Sequence, residues 1–119
     1  MSEPSLIEIT FHKKSQVLTL RFDDGEHYEL SSEFLRVHSP SAEVRGHSAD
    51  QAVLQVGKEQ VKIVELKPVG NYGLSPLFSD GHDSGIFTWQ ELYRLGHNRE
   101  ALWRDYLQQL SASGHQRSP

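Results

Sequence analysis

Much of the stretch at residues 6–30 alternates between apolar and polar side chains with a period of two. The alternation begins at Leu6, continues after a polar connection at residues 13–16, and resumes after the turn signal Asp24-Gly25. A period of two places every second side chain on the same face of a strand. The pattern predicts three antiparallel strands joined as hairpins, each with a buried apolar face. The apolar positions are Ile7, Ile9 and Phe11, then Leu18, Leu20 and Phe22, and finally Tyr28 and Leu30.

The next part of the chain predicts one short helix and a long loop. Ser31 and Ser32 are suited to cap a helical turn over residues 33–36, because a serine oxygen accepts a free amide at a helix start. Residues 38–50 are mostly small and polar, which predicts a loop. Long loops in compact domains are often functional.

Two prolines bear on the prediction of the later strands. Residues 53–56 and 61–66 are predicted to form a hairpin, and Pro68 is expected to end its second strand. Residues 74–78 contain Pro76, which suits an edge or irregular strand better than a central one, because proline cannot donate to a sheet.

Two helices are predicted towards the C-terminus. Thr88 and Glu91 have the spacing of a capping box, in which the hydroxyl and the carboxylate each bind an unpaired amide. The first helix is expected to begin at Trp89 and to be stopped by Gly96. Asn98 is suited to cap the second helix, whose apolar side chains recur at helical spacing. This predicted buried stripe consists of Leu102, Trp103, Tyr106, Leu107 and Leu110.

Strands followed by helices predict an α+β fold, with an antiparallel β-sheet from the N-terminal hairpins and the C-terminal helices packed on it. A chain of 119 residues can bury one modest core, so one domain is expected. We expect this domain to span residues 6–110, between a flexible N-terminus at residues 1–5 and a disordered tail at residues 111–119.

The composition excludes several classes of protein. The chain has no cysteine, which excludes disulfide scaffolds, cysteine-bound zinc, iron–sulfur clusters held by this chain alone, and thiol nucleophiles. Its net charge of −4 argues against nucleic-acid binding. The apolar runs are far shorter than the roughly 20 residues of a membrane helix, and residues 1–5 do not resemble a signal peptide. A soluble cytoplasmic protein without membrane or nucleic-acid partners is expected.

The sequence contains no complete catalytic motif. Neither residues 70–73 nor residues 81–85 lead into the Gly-Lys-Ser/Thr of a phosphate-binding loop, and there is no Gly-x-Ser-x-Gly elbow. We therefore predict that the protein is not an enzyme. The remaining enzymatic hypothesis uses His82 and Asp83 for acid–base chemistry.

Asp80-Gly81-His82-Asp83 is the densest group of potential metal ligands. With His38 and His47 from the predicted loop, it would form a nitrogen and oxygen site for iron, zinc or manganese. The same residue types are also common in ordinary turns. The residues alone leave both interpretations open.

Three longer motifs resemble those of a known family. They are LRVHSPSAEVRGH at residues 35–47, VGNYGL at residues 69–74 and FSDGHDSGIFTW at residues 78–89. Together they resemble the gamma-butyrobetaine hydroxylase-like N-terminal domain family over about residues 6–96. In the large hydroxylases this domain precedes a catalytic iron and 2-oxoglutarate oxygenase domain. This chain resembles the accessory domain alone, as do stand-alone bacterial members.

The resemblance also bears on metal binding. The hydroxylase domains hold a structural zinc through a Cys-x-Cys-x-x-Cys run after a Leu-Arg pair and through a later histidine. On this sequence the three cysteine positions become Ser39, Ser41 and Val44, and the histidine position is His82. Serine is a poor zinc ligand and valine is none. The resemblance therefore implies that this zinc is absent and that hydrogen bonds and packing hold the loop.

The function that we predict is a non-catalytic accessory or protein-interaction domain without a cofactor. The loop at residues 38–47 and the turn at residues 80–85 would face a protein partner. Similar domains are fused to P-loop ATPases that carry iron–sulfur clusters, which by analogy implies a partner among iron–sulfur or metalloprotein assembly factors. The candidate binding residues are Arg36, His38, Ser39, Ser41, Glu43, Arg45, His47, Asn71, Tyr72, Asp80, His82 and Asp83.

The alternative function is metal binding. In that hypothesis His82 holds iron or zinc together with Asp80 or Asp83, and with His38 or His47 as further ligands. An imidazole must be neutral to bind a metal, so binding would weaken below about pH 6.5.

Overall fold

The computed structural model describes residues 4–40, 54–82 and 85–115, and these residues form the predicted α+β arrangement. Six strands and three helices make up the described chain. In chain order they are β1 (Leu6–His12), β2 (Val17–Phe22), β3 (His27–Ser31), α1 (Ser32–Val37), β4 (Ile63–Val69), β5 (Gly73–Phe78), β6 (Phe87–Thr88), α2 (Trp89–His97) and α3 (Arg99–Ala112).

The first sheet consists of the three predicted N-terminal strands. They are antiparallel and lie in the order β1-β2-β3. Leu18 pairs with Leu30 and Leu20 pairs with Tyr28, so these side chains share one face of the sheet. The three leucines are buried, as their alternation predicted.

The edge strand β1 departs from the prediction at its beginning. The register against β2 shifts between Leu6 and Glu8, so that Leu6, rather than Ile7, pairs with Phe22. Such a bulge adds one residue to one strand and turns its side chain away. Ile7 is consequently 57% exposed, and Ile9 at the margin of the sheet is also exposed. The prediction that both isoleucines are buried was wrong.

Helix α1 begins where the sequence predicted. The Phe34 amide donates to the Ser31 hydroxyl at 3.1 Å, which caps the helix. All six residues of α1 are buried, including Ser32, Glu33 and Arg36. Buried polar side chains need partners inside the protein, and Arg36 finds them in the cluster described below.

No strand is present at residues 54–56, contrary to the prediction, and Val53 lies outside the described residues. Leu54 instead packs against a small apolar cluster that includes Val37 and Tyr106, while Gln55 is buried. Packing between two helices therefore decides the conformation of this short apolar run.

The second sheet is antiparallel in the order β4-β5-β6. Strand β4 begins at Ile63 and continues past Pro68, which was expected to end it. Because β4 lies at the edge of this sheet, a missing amide is tolerated there. Pro76 lies in the central strand β5. The short strand β6 pairs with Gly73 and Leu74 and does not extend as far as Pro76.

Helix α2 has the predicted cap but a different end. The Glu91 amide donates to the Thr88 hydroxyl at 3.1 Å, and the Glu91 carboxylate accepts from Arg94 at 2.7 Å. The helix continues through Gly96, which was expected to stop it. A Cβ at Gly96 would lie 2.3 Å from Cγ of Tyr28, so the glycine allows the helix to approach the first sheet.

Helix α3 corrects two further predictions. Asn98 makes no side-chain cap at its start and instead donates to the Arg94 carbonyl at the end of α2, at 2.8 Å. Tyr106 and Leu110 are buried as predicted, but Leu107 is exposed, since the residue after Tyr106 points about 100° away from it. Within the described ranges, no helix is long and apolar enough to cross a membrane.

The main apolar core joins both sheets to α1 and α2. Gln16 adds a polar connection, because its side-chain oxygen accepts from the Ile63 amide at 2.8 Å and from the Ser32 hydroxyl at 2.7 Å. The buried members of this core are Leu18, Leu20, Phe22, Leu30, Phe34, Leu35, Ile63, Leu74, Phe78, Phe87, Leu92 and Leu95.

Candidate functional site

Arg36, Gln55, Lys58 and Asp80 form a partly buried polar group, here called the Arg36–Asp80 cluster. Arg36 is only 5% exposed. Its Nε donates to Oδ2 of Asp80 at 3.0 Å, and its Nη1 donates to the side-chain oxygen of Gln55 at 3.0 Å. Lys58 donates to the same Asp80 oxygen at 3.0 Å. One carboxylate therefore connects α1, the segment before β4 and the turn after β5.

Asp80 is ionised in this cluster at neutral pH. Partial burial by itself raises the pKa of its carboxyl group, but hydrogen bonds from Lys58, the His82 amide and Arg36, with the Arg36 charge, lower it from 3.8 to about 2. The His82 amide donates to Oδ1 at 3.1 Å. The negative charge thus compensates a guanidinium that would otherwise be buried without a counter-charge.

Ser39 and His82 form a second connection between the same parts of the chain. The Nε2 atom of His82 lies 2.9 Å from the Ser39 hydroxyl oxygen. Ser39 is fully buried and His82 is buried beside the ring of Phe78. Because both side chains are enclosed by protein, this pair gives no support to acid–base chemistry on a substrate.

Both ends of the segment at residues 41–53 are anchored at this site. On the N-terminal side, Ser39 contacts His82. On the C-terminal side, the Gln55 side chain accepts from α1, and its backbone oxygen accepts from the Tyr106 hydroxyl of α3 at 2.7 Å. The described residues on either side of this segment are therefore held at neighbouring points.

Asn71 and Tyr72 belong to a different surface. The Trp89 side chain donates to the Asn71 carbonyl at 2.8 Å, and the Trp89 amide donates to the Tyr72 carbonyl at 3.0 Å. These bonds hold the turn between β4 and β5 against the start of α2. The Tyr72 side chain is 54% exposed and lines an open groove of about 1060 Å³ with Trp89, Tyr93 and Arg94.

The candidate binding residues that the structure describes therefore lie in three separate places. Arg36, Ser39, Asp80 and His82 come together, and Asn71 and Tyr72 lie on the groove. His38 is placed against α1, with its Nδ1 atom 2.9 Å from the Phe34 carbonyl oxygen. The candidates that lie outside the described residues are Ser41, Glu43, Arg45, His47 and Asp83.

Sequence reasoning missed two members of the Arg36–Asp80 cluster. Gln55 interrupts a short apolar run, where a polar residue normally indicates the solvent side of a strand. Lys58 follows Gly57 in a charged stretch that predicts an exposed turn. No local signal distinguishes these two residues from surface residues.

The donor set does not fit the zinc site of the resembling hydroxylases. A structural zinc takes four ligands, usually thiolates and imidazoles. Of the four corresponding positions, Ser41 and Val44 lie outside the described residues, and Ser39 and His82 supply a hydroxyl and an imidazole bonded to each other. Where the structure describes the chain, no three His, Asp or Glu side chains are grouped to hold a metal ion.

The family model described as Gamma-butyrobetaine hydroxylase-like, N-terminal, matches residues 9–93. The chain belongs to this family. The matched range includes all three sequence motifs, so the resemblance inferred from them is confirmed. Both parts of the site, the Arg36–Asp80 cluster and the Tyr72 groove, contain residues of these motifs.

Solved structures extend the comparison beyond this family match. Two similar proteins have NMR solution structures, one 48% identical with a TM-score of 0.84 and the other 43% identical with a TM-score of 0.79. The alignments cover 99% and 98% of this chain, and 93% and 87% of those chains.

A third similar structure is a crystal structure of a protein of unknown function from Acidithiobacillus ferrooxidans, assigned to the DUF971 family. It is 39% identical, with a TM-score of 0.65, and the match covers 80% of this chain and 98% of that one. The gamma-butyrobetaine hydroxylase-like chain thus shares its fold with solved chains of similar length. The curated proteins include no match.

Proposed function

We propose that the protein is a non-catalytic accessory domain that binds another protein through residues 38–47 and the turn at residues 80–85. The observation that carries this proposal is the anchoring of both ends of the segment at residues 41–53 beside the Arg36–Asp80 cluster. A segment with fixed ends loses less conformational freedom on binding than one with free ends. The buried cluster then fixes the described residues on both sides of this segment.

The partner that we propose is an iron–sulfur or metalloprotein assembly factor in the cytoplasm. The support is analogy, because similar domains are fused to ATPases that carry iron–sulfur clusters. In this proposal the domain itself holds no zinc, and the Ser39–His82 hydrogen bond takes over the connection that the metal makes in the resembling hydroxylases.

Affinity capture from a native lysate, quantified by mass spectrometry, tests the interaction. The bait is the full chain, and the test variant replaces Glu43, Arg45 and His47 with alanine. A matched control replaces the exposed residues Gln108 and Gln109 of α3. We expect an assembly factor that the parent and the control retain and that the test variant loses. The proposal fails if no protein is reproducibly enriched, or if the test variant behaves like the parent.

Elemental analysis of untagged protein, purified without chelator, tests the metal-free state. We expect zinc and iron to be well below one atom per chain in the parent and in His82→Ala. Near-stoichiometric metal that disappears in His82→Ala would instead support the alternative, a metal-binding protein that uses His82. Circular dichroism on each variant separates loss of metal from loss of fold.

A further inference from the structure

Strand β1 is an open edge of the first sheet. It pairs with β2 on one side, and no other described strand pairs with it. Edge strands present unpaired backbone amides and carbonyls, and proteins often block them with proline or lysine. Residues 6–12 contain neither, the β-bulge that also protects an edge is confined to residues 6–8, and both Ile7 and Ile9 are exposed. Among the described residues, no strand pairs with the outer edge of β1, so its backbone amides and carbonyls can accept a further strand.

The sequence of β1 discriminates among the ways in which two copies can pair. Antiparallel pairing centred on Glu8 would place like charges opposite each other, which is unfavourable. Pairing centred on Ile9 would place the bulged residue Ile7 opposite Phe11 and interrupt the ladder. Both registers are therefore disfavoured.

Pairing centred on Thr10 avoids both problems. It places Glu8 opposite His12 of the partner subunit, and Ile9 opposite Phe11 of the partner subunit. Apolar pairs across neighbouring strands are stabilising, and a carboxylate opposite an imidazole avoids the repulsion of two like charges. The paired stretch then covers residues 8–12 of each copy, so the bulge at Ile7 lies outside it.

We propose that a second copy of this chain binds here by strand addition, with the two β1 strands antiparallel and centred on Thr10. The first sheet of one copy and the first sheet of the other then form one continuous six-stranded sheet. Its outer face already carries hydrogen bonds from Arg21 to Glu8 at 3.4 Å and between the His12 ring and the Thr19 hydroxyl at 3.2 Å. Glu8 and His12 therefore lie on the same face of the sheet as their counterparts in the second copy.

The expected complex is weak. Five residues from each strand form an interface smaller than the roughly 1,200 Å² at which stable complexes begin. A dissociation constant on the order of 10–100 µM is consistent with such a contact. The dimer should consequently dominate only at high protein concentration.

Sedimentation velocity over a concentration series measures this equilibrium, and charge exchange identifies the register. His12→Glu places two carboxylates opposite each other at both symmetric positions, so we expect the dissociation constant to rise about tenfold. The double variant Glu8→Lys/His12→Glu places opposite charges across the interface and should return the dissociation constant to the parental value or below. Glu65→Lys on β4, the edge of the other sheet, is a matched control and should leave it unchanged.

Amide hydrogen exchange on the parent provides a second measurement that needs no variant. We expect protection of residues 8–12 to rise with protein concentration. A monomer at every concentration, a dimer that His12→Glu leaves unaffected, or concentration-dependent protection at β4 instead of β1 would each overturn the proposal. Circular dichroism confirms that every variant is folded before its association is interpreted.

Discussion

Asp80→Asn removes the negative charge of the Arg36–Asp80 cluster while nearly preserving the shape of the side chain. The pKa of Asp80 is lowered from 3.8 to about 2 in the folded protein. A tenfold change in proton affinity corresponds to about 1.4 kcal/mol, so the ionised carboxylate stabilises the fold by about 2 kcal/mol. We expect Asp80→Asn to lower the free energy of unfolding at pH 7 by at least that amount, because Arg36 stays buried without its counter-charge.

The stability that Asp80 provides depends on pH in a defined direction. A group with a lowered pKa in the folded state stabilises fully above its unfolded value, here 3.8, and loses that contribution as the pH falls through about 2. The difference in unfolding free energy between the parent and Asp80→Asn should be constant above about pH 5. Its electrostatic part should disappear towards about pH 1, where the carboxyl is protonated in both states.

Urea denaturation followed by circular dichroism, repeated between pH 2 and pH 7, measures this difference. At pH 7 the midpoint of thermal unfolding should fall by roughly 6–10 °C for a chain of this length. Glu8→Gln is the matched control, because its partner Arg21 is 56% exposed and such surface pairs contribute little. If Asp80→Asn costs no more than Glu8→Gln, or if its cost stays constant down to pH 2, the assignment of this stability to the ionised carboxylate is refuted.

Two further substitutions act where α2 meets the first sheet. Gly96→Ala should destabilise the protein by about 2 kcal/mol in chemical denaturation, because the added Cβ would overlap the Tyr28 ring at 2.3 Å. Alanine favours a helix over glycine, so a stabilised variant would show that α2 moves away from Tyr28 without cost. Tyr28→Phe should stabilise by about 1 kcal/mol, since no described group makes a well-formed hydrogen bond to the buried Tyr28 hydroxyl, and the nearby Tyr93 hydroxyl already donates to Asp24 at 2.6 Å. An unfolding free energy below that of the parent would mean that this hydroxyl has a partner in solution.

The sequence predicts the elements that are governed by local patterns. Alternating side chains identify β2 and β3, and the Thr88 cap marks the start of α2. Prediction from the sequence fails where packing decides the conformation. Gly96 is typical of a helix end, but in the structure it allows α2 to pack closely against Tyr28. A period of two likewise cannot reveal the bulge that exposes Ile7, because a bulge depends on the partner strand.

The candidate site divides along the same line. The sequence indicates Asp80 and His82 because they belong to a compact motif, and Arg36 because it belongs to the motif at residues 35–47. Gln55 could not be identified, since its partner Arg36 is 19 residues away and a polar residue in sequence normally indicates exposure. Buried polar contacts between distant segments leave no periodic pattern, so the connections within the cluster become visible only in the folded structure.

The energies involved explain why the site contains many contacts instead of one. Binding of a structural zinc contributes about 10–16 kcal/mol to a small domain, whereas a neutral hydrogen bond contributes about 1 kcal/mol. In the metal-free domain that we propose, the Ser39–His82 hydrogen bond alone cannot hold the segments together. The ion pairs of Asp80 with Arg36 and Lys58 add about 2 kcal/mol, and the packing of the apolar core supplies the rest. Asp80→Asn should therefore loosen the Ser39–His82 contact as well. Amide hydrogen exchange at both residues should become faster, and this increase should not depend on protein concentration.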